Sequence, residues 1–326
     1  MREGGPSGLD PSLFDGPAGP FPRQPSRSRI AIFVILYLLV VPFATMASEG
    51  LAAWVWSHIP DLLGSEPPPD AFPVPGLEGL VGGDQGLFAL RGLTGFVTIA
   101  LATALFQRGL WQGRRGLAGL GLRGGRAGVE FLLGLVLGAG VMLLVYLILW
   151  AAGWATWPTP APSGVAPRGW AVLLLAAGFV LLAAQEELIA RGFLLQSLAA
   201  GWGFPAAAVL QAVLFGLAHL ANPYAGLAST VGIFAAGLLF AAAYARTGRL
   251  WLPSGIHAGW NLMEGPVLGL PVSGLKTARF LETQLEGPVA VTGGSFGPEA
   301  GWVAVGILLL ATLWLARARR SSRPEP

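Results

Sequence analysis

The sequence predicts an all-α polytopic membrane protein of about eight transmembrane helices, and three observations predict it. Hydrophobic residues make up 54% of the 326 and charged residues 11%, where a soluble domain carries about 25% charged residues. With a mean hydropathy of +0.64, too few charges remain to solvate a globule of this size. The apolar residues cluster in blocks of roughly 20, the length a helix needs to cross a hydrocarbon core of roughly 30 Å. Between the blocks, basic residues recur on alternate sides. The composition also sets aside a disordered chain, and the absence of cysteine sets aside a disulfide scaffold, a Cys nucleophile and a Cys-ligated metal. A pI of 9.8 would suggest nucleic acid for a soluble protein. Here the basic residues set topology, so the expected partner is the lipid bilayer and no nucleic acid is expected.

Taken in order, residues 1–29 are rich in Pro, Gly, Ser and Arg without apolar periodicity and read as a disordered tail, not as a cleavable leader. Eight candidate spans follow at 30–57, 87–107, 128–153, 170–200, 206–222, 226–246, 250–268 and 300–316. The first ends at Trp54, Trp56 and His58, an aromatic belt. An acidic, proline-rich connector at 59–86 precedes the second, and an Arg-rich connector at 108–127 follows it. Gly134 and Gly138 in the third span, and Gly255 and Gly259 in the seventh, have the four-residue spacing that lets membrane helices approach closely. The turn Gly201-Trp202-Gly203-Phe204-Pro205 makes a hairpin of the fourth and fifth. The expected organisation is thus three helices with loops over 30–168, a core of four over 169–268, an extracytoplasmic loop over 269–299, and a last helix with a basic tail over 300–326.

With the N-terminus in the cytoplasm, fifteen Arg residues fall inside, among them Arg108, Arg126, Arg246, Arg249 and Arg317. Only Arg91, Arg168, Lys276 and Arg279 fall outside. This bias predicts an even helix number with both termini cytoplasmic, and the Arg-rich N-terminus and compact length point to a bacterial or archaeal protein, with a bacterial plasma membrane as the expected location.

An ionisable side chain within a span costs about 2.5–3.5 kcal/mol on insertion scales, so each is a functional candidate. Glu49 and Glu130 lie near span ends; the others are Glu186, Glu187, Arg191, His219, His257 and Glu264, with Asn222 and Asn261 beside them. Glu187 and Arg191 are spaced i, i+4 and can pair on one face. Glu186 points about 100° away and keeps no partner on its own helix. One neutralised and one free carboxylate leave a single available base. His257 and Asn261 share a face of the seventh span. At 1.5 Å per residue, Glu186 lies roughly 25 Å and His219 roughly 20 Å from the hairpin turn, so the two reach similar depth.

The run Glu186-Glu187-x-x-x-Arg191, then Phe215-x-x-x-His219, then His257-x-x-x-Asn261, resembles the three motifs of the CPBP family of intramembrane proteases, related to the CAAX-processing endoprotease Rce1. The resemblance covers about residues 175–265, the core over 169–268. It implies an intramembrane endopeptidase in which Glu186 and His219 activate water, His257 and Asn261 donate to the oxyanion, and Glu187 and Arg191 orient the site. The substrate would be a membrane-embedded or lipidated peptide or protein, prenylated CAAX peptides being the activity of the eukaryotic relatives. A raised carboxylate pKa in an apolar site suits such a base, and neutral His N–H and Asn NH₂ donors suit such an oxyanion.

Other readings stand beside this one. Glu187–Arg191 is also readable as a structural ion pair, and the whole cluster as interhelical glue in a non-catalytic scaffold or bacteriocin-immunity-type protein. A zinc site would use Glu186, His219 and His257, a known type of ligand set, although no H-E-x-x-H helix is present. A proton-coupled transporter would predict inverted repeats, and none is evident. Gly293-Gly294-Ser295-Phe296-Gly297 matches G-x-S-x-G only formally, lying in a polar loop. Gly119-Leu120-Gly121-Leu122-Arg123-Gly124 matches G-x-G-x-x-G without a βαβ context and reads as a linker or short interfacial helix. Glu264 receives no role.

Overall fold

The computed structural model describes residues 25–63, 85–111, 117–122, 126–162, 166–167 and 169–317. The chain is helical: α1 (Arg27–Leu63), α2 (Gln85–Leu110), α3 (Ala127–Ala151), α4 (Trp170–Glu187), α5 (Gln196–Trp202), α6 (Phe204–Ala218), α7 (Leu227–Thr247), α8 (Trp251–Leu262), the single turn α9 (Val289–Thr292) and α10 (Trp302–Arg317). A π-helix, Leu188–Leu195, joins α4 to α5 without a break, and a second, Met263–Val267, extends α8. Strands β1 (Thr159–Pro160) and β2 (Leu281–Glu282) pair antiparallel.

Among the described residues, six stretches are long and apolar enough to cross a membrane: Arg27–His58, Gln85–Leu110, Ala127–Ala151, Trp170–Trp202, Phe204–Ala221 and Leu227–Thr247. The protein is an integral membrane protein. The other two expected spans are helices but shorter: α8 is 12 residues before its π turn and α10 is 16. Ten of the twelve α8 residues are buried, so protein and not lipid sets its length. The helix α1 begins at Arg27, inside the stretch read as a tail; residues 1–24 lie outside the described residues, as do most of the 59–86 connector and Arg123 and Gly124. The described part of the Gly119–Gly124 stretch is a 3₁₀ turn, Leu117–Leu120, followed by a backbone contact from Leu250 N–H to the Gly121 carbonyl.

The surface follows the membrane pattern. Phe43, Met46, Leu105, Val136 and Leu173 point outward, while Gln107, Gln185, Glu187, Arg191, Gln211 and Glu264 are buried. Inside lipid such groups are stable only when the protein satisfies them. Two glycine pairs close the α3–α8 contact from both sides. A Cβ on Gly138 would sit 1.9 Å from the Ile256 carbonyl oxygen, and one on Gly259 would sit 2.1 Å from that of Leu135. Gly134 and Gly255 face Leu252 and Phe131 in the same way. The two backbones touch, which fixes α8 in height and rotation.

Gly138→Leu is therefore expected to destabilise the fold by about 1–3 kcal/mol or more through overpacking. Gly140→Leu serves as control, because a Cβ there meets nothing within 4 Å. Thermal unfolding in detergent checks this: equal midpoints for the two variants would refute the close contact.

Candidate active site

The site is assembled from α4 and its π-helix, the C-terminus of α6, and α8. Where α4 widens at Leu188, the Gly192 carbonyl accepts from Gln107 Nε2 at 2.7 Å and Gln196 Nε2 at 3.0 Å. Such π segments occur often at functional sites because the extra residue re-aims side chains. Here it leaves Glu187 and Arg191 fully buried and in contact, Arg191 Nη1 donating to Glu187 Oε1 at 2.9 Å. The guanidinium also donates through Nη2 to the Gly237 carbonyl at 3.0 Å. It lies between the Phe215 and Phe240 rings, 4.7 and 4.9 Å from their centroids, where cation–π attraction offsets part of its desolvation.

Glu187 is therefore more than half of an ion pair. Its Oε1 also meets His257 Nδ1 at 3.0 Å, and the His257 ring stacks on Phe240 at 4.7 Å. These contacts fix the ring plane and aim Nε2 at Glu186, whose Oε2 lies 3.8 Å away. His219, at the C-terminus of α6, approaches the same oxygen, its Nε2 3.7 Å from Glu186 Oε2. The His219 Nδ1 donates to the Phe215 carbonyl at 2.8 Å, which leaves Nε2 with its lone pair free. Glu186 Oε2 is buried without a hydrogen-bond partner among the described residues. Asn261 is buried one turn beyond His257 and lines a small cavity with His219, His257, Phe215 and Trp260.

The structure thus brings together Glu186, Glu187, Arg191, His219, His257 and Asn261. It also adds two residues that sequence reasoning missed. Ser273 and Glu299 line the same cavity, although both lie in the stretch read as an extracytoplasmic loop. That stretch folds back on the bundle, and Glu299 is buried. The available signal was an acid immediately before the last apolar block, after a glycine-rich turn. Gly293, Gly294 and Gly297 all have positive φ, so the G-x-S-x-G match is a tight turn, and its Ser295 is exposed.

One expectation changes. With Nδ1–H given to Glu187, a neutral His257 would present a lone pair at Nε2. Donation from Nε2 to an oxyanion therefore requires the doubly protonated ring. As to the zinc reading, among the described residues no group of three or more His, Asp or Glu is disposed to hold a metal ion.

No curated protein matches the chain. Residues 168–263, from α4 to α8, match the family model described as Type II CAAX prenyl endopeptidase Rce1-like.

Proposed function

We propose that the protein is an intramembrane endopeptidase that hydrolyses peptide bonds of membrane-associated substrates, with lipidated C-terminal peptides of the CAAX type as the first class to test. The observation that carries this reading is the convergence of two imidazole Nε2 atoms on the unpartnered Glu186 Oε2, at 3.7 and 3.8 Å. Those separations are long for direct hydrogen bonds but suit a water at about 2.8 Å from both the carboxylate and an imidazole. Glu186 and His219 then share removal of the water's proton as its oxygen attacks the carbonyl carbon. His257, as imidazolium against Glu187, and Asn261 donate to the oxygen that becomes negative. Their apolar surroundings strengthen both effects. Arg191 neutralises Glu187, so that Glu187 positions His257 and Glu186 remains the base.

The test uses purified full-length protein in proteoliposomes with a farnesylated peptide and its unmodified counterpart. Cleavage by the parent, lost in Glu186→Ala and His219→Ala variants that unfold at the parental temperature, supports the proposal. Variants as active as the parent would overturn it and favour a scaffold with the same polar core. Water activated by Glu186 and His219 needs no metal, so on this reading exhaustive chelation leaves the rate unchanged; a loss restored by zinc alone would favour the zinc reading.

A further inference from the structure

The cavity has a second acidic wall that the mechanism above does not use. Glu299 Oε2 accepts from the Ser273 backbone N–H at 2.8 Å and from the Ser273 hydroxyl at 2.7 Å. The Ser273 carbonyl in turn accepts from Asn222 Nδ2 at 3.0 Å. Ser273 has φ of 47°, a conformation non-glycine residues rarely hold and one that clusters at functional sites. The turn bearing Glu299 is pressed onto α7: a Cβ on Gly232 would lie 1.7 Å from the Glu299 carbonyl oxygen. The same turn closes over Glu264, since a Cβ on Gly297 would lie 3.2 Å from Glu264 Oε1.

Glu264 is fully buried; its Oε2 accepts from Trp260 Nε1 at 2.8 Å, and its Oε1 has no hydrogen-bond partner among the described residues. The charge that acts on it is Glu299. Neither carboxyl forms an ion pair with Arg or Lys among the described residues. Two adjacent buried carboxyls with no Arg or Lys partner cannot both ionise, so one proton is retained between them. Burial raises the pKa of Glu299, against the lowering effect of Ser273 and of the two imidazoles across the cavity.

We propose that Glu299 is a catalytic carboxyl that delivers the proton it shares with Glu264 to the departing amine nitrogen. This rests on the peptidase reading. As the tetrahedral intermediate collapses, the C–N bond breaks, its electron pair stays on nitrogen, and the proton passes from the Glu299 carboxyl to that nitrogen. The proton taken from water by Glu186 and His219 returns to Glu299 across the cavity, and the cycle closes with one water consumed. A carboxylic acid leaves the acyl side and an amine the other; as the acid ionises its proton passes to the amine, so the products are a carboxylate and an ammonium. Glu264 is a positioning residue that keeps the proton available.

The experiment compares a peptide with its ester analogue, whose alkoxide leaving group depends less on protonation, in parent, Glu299→Gln and Glu264→Gln proteoliposomes. A loss with Glu299→Gln at least tenfold greater on the amide than on the ester is expected. Equal losses, or none, from a variant with parental unfolding temperature would overturn the proposal while leaving the peptidase reading intact. A parent inert on both substrates would overturn both. Infrared spectroscopy reads the proton directly: the carbonyl stretch of a protonated carboxyl should be present at neutral pH in the parent and shifted or lost in each variant. Its absence from the parent would also overturn the shared proton.

Discussion

Glu186→Gln is expected to lower kcat by about 10²–10⁴-fold with little change in KM, the range for removing a general base. Glutamine keeps the size and shape of the side chain but has no basic oxygen. Among the described residues Glu186 forms no ion pair with Arg, and its side chain is 25% exposed, so the fold is not expected to depend on its charge. The unfolding temperature should therefore stay near the parental value, which separates lost chemistry from lost structure. His219 alone would retain some basicity at Nε2, so residual turnover is expected and should vanish in the double variant with His219→Ala. Single-turnover kinetics on a fluorescent peptide measures this; a Glu186→Gln enzyme within a few-fold of the parent would remove Glu186 from the base role.

Arg191→Met is expected to be the most destabilising single substitution in the site, by about 3–5 kcal/mol, because it leaves Glu187 charged and buried without its counter-ion. The cost is large because Arg191 and Glu187 are each fully buried, and only His257 would remain beside the carboxylate. In the double variant Glu187→Gln/Arg191→Met the uncompensated charge is gone, and most of the stability should return, since replacing both members of a buried pair is often neutral. Activity should not return with it. Without the Glu187 carboxylate, His257 loses the partner at 3.0 Å that favours its doubly protonated form. Unfolding temperatures and kcat for the two variants check the split. Recovery of both together would mean the pair is structural only.

Much of this site was legible because hydrocarbon makes polarity conspicuous. Glu186, Glu187, Arg191, His219, His257 and Asn261 stand out within apolar blocks, and fixed helical rise placed Glu186 and His219 at similar depth. The glycine pairs of α3 and α8 were equally readable, since only packing explains small residues at that spacing in lipid-length helices. The π-helix at Leu188–Leu195 was not, because its widening depends on partners such as Gln107, 85 residues away from Gly192. The contact of His257 with Glu187 was hidden too: it depends on the relative rotation of two helices, which neither helix encodes alone. Glu299 was missed for a plainer reason. A loop sequence carries no period from which to infer that it folds inward, where Gly232 and Gly297 make room for it.

The backbone contact between α3 and α8 bears on where the functional unit ends. The stretch matched to the Rce1-like family, residues 168–263, contains Gly255 and Gly259 but not Gly134 and Gly138, which occupy the other half of the same seam. Excised at those limits, α8 would turn a glycine-lined furrow toward lipid tails, which fit it poorly, and His257 and Asn261 would lose the rail that holds their height. The smallest piece able to reproduce this site therefore begins before α3, and transplanting the matched stretch alone into another membrane protein should carry the motifs without the geometry.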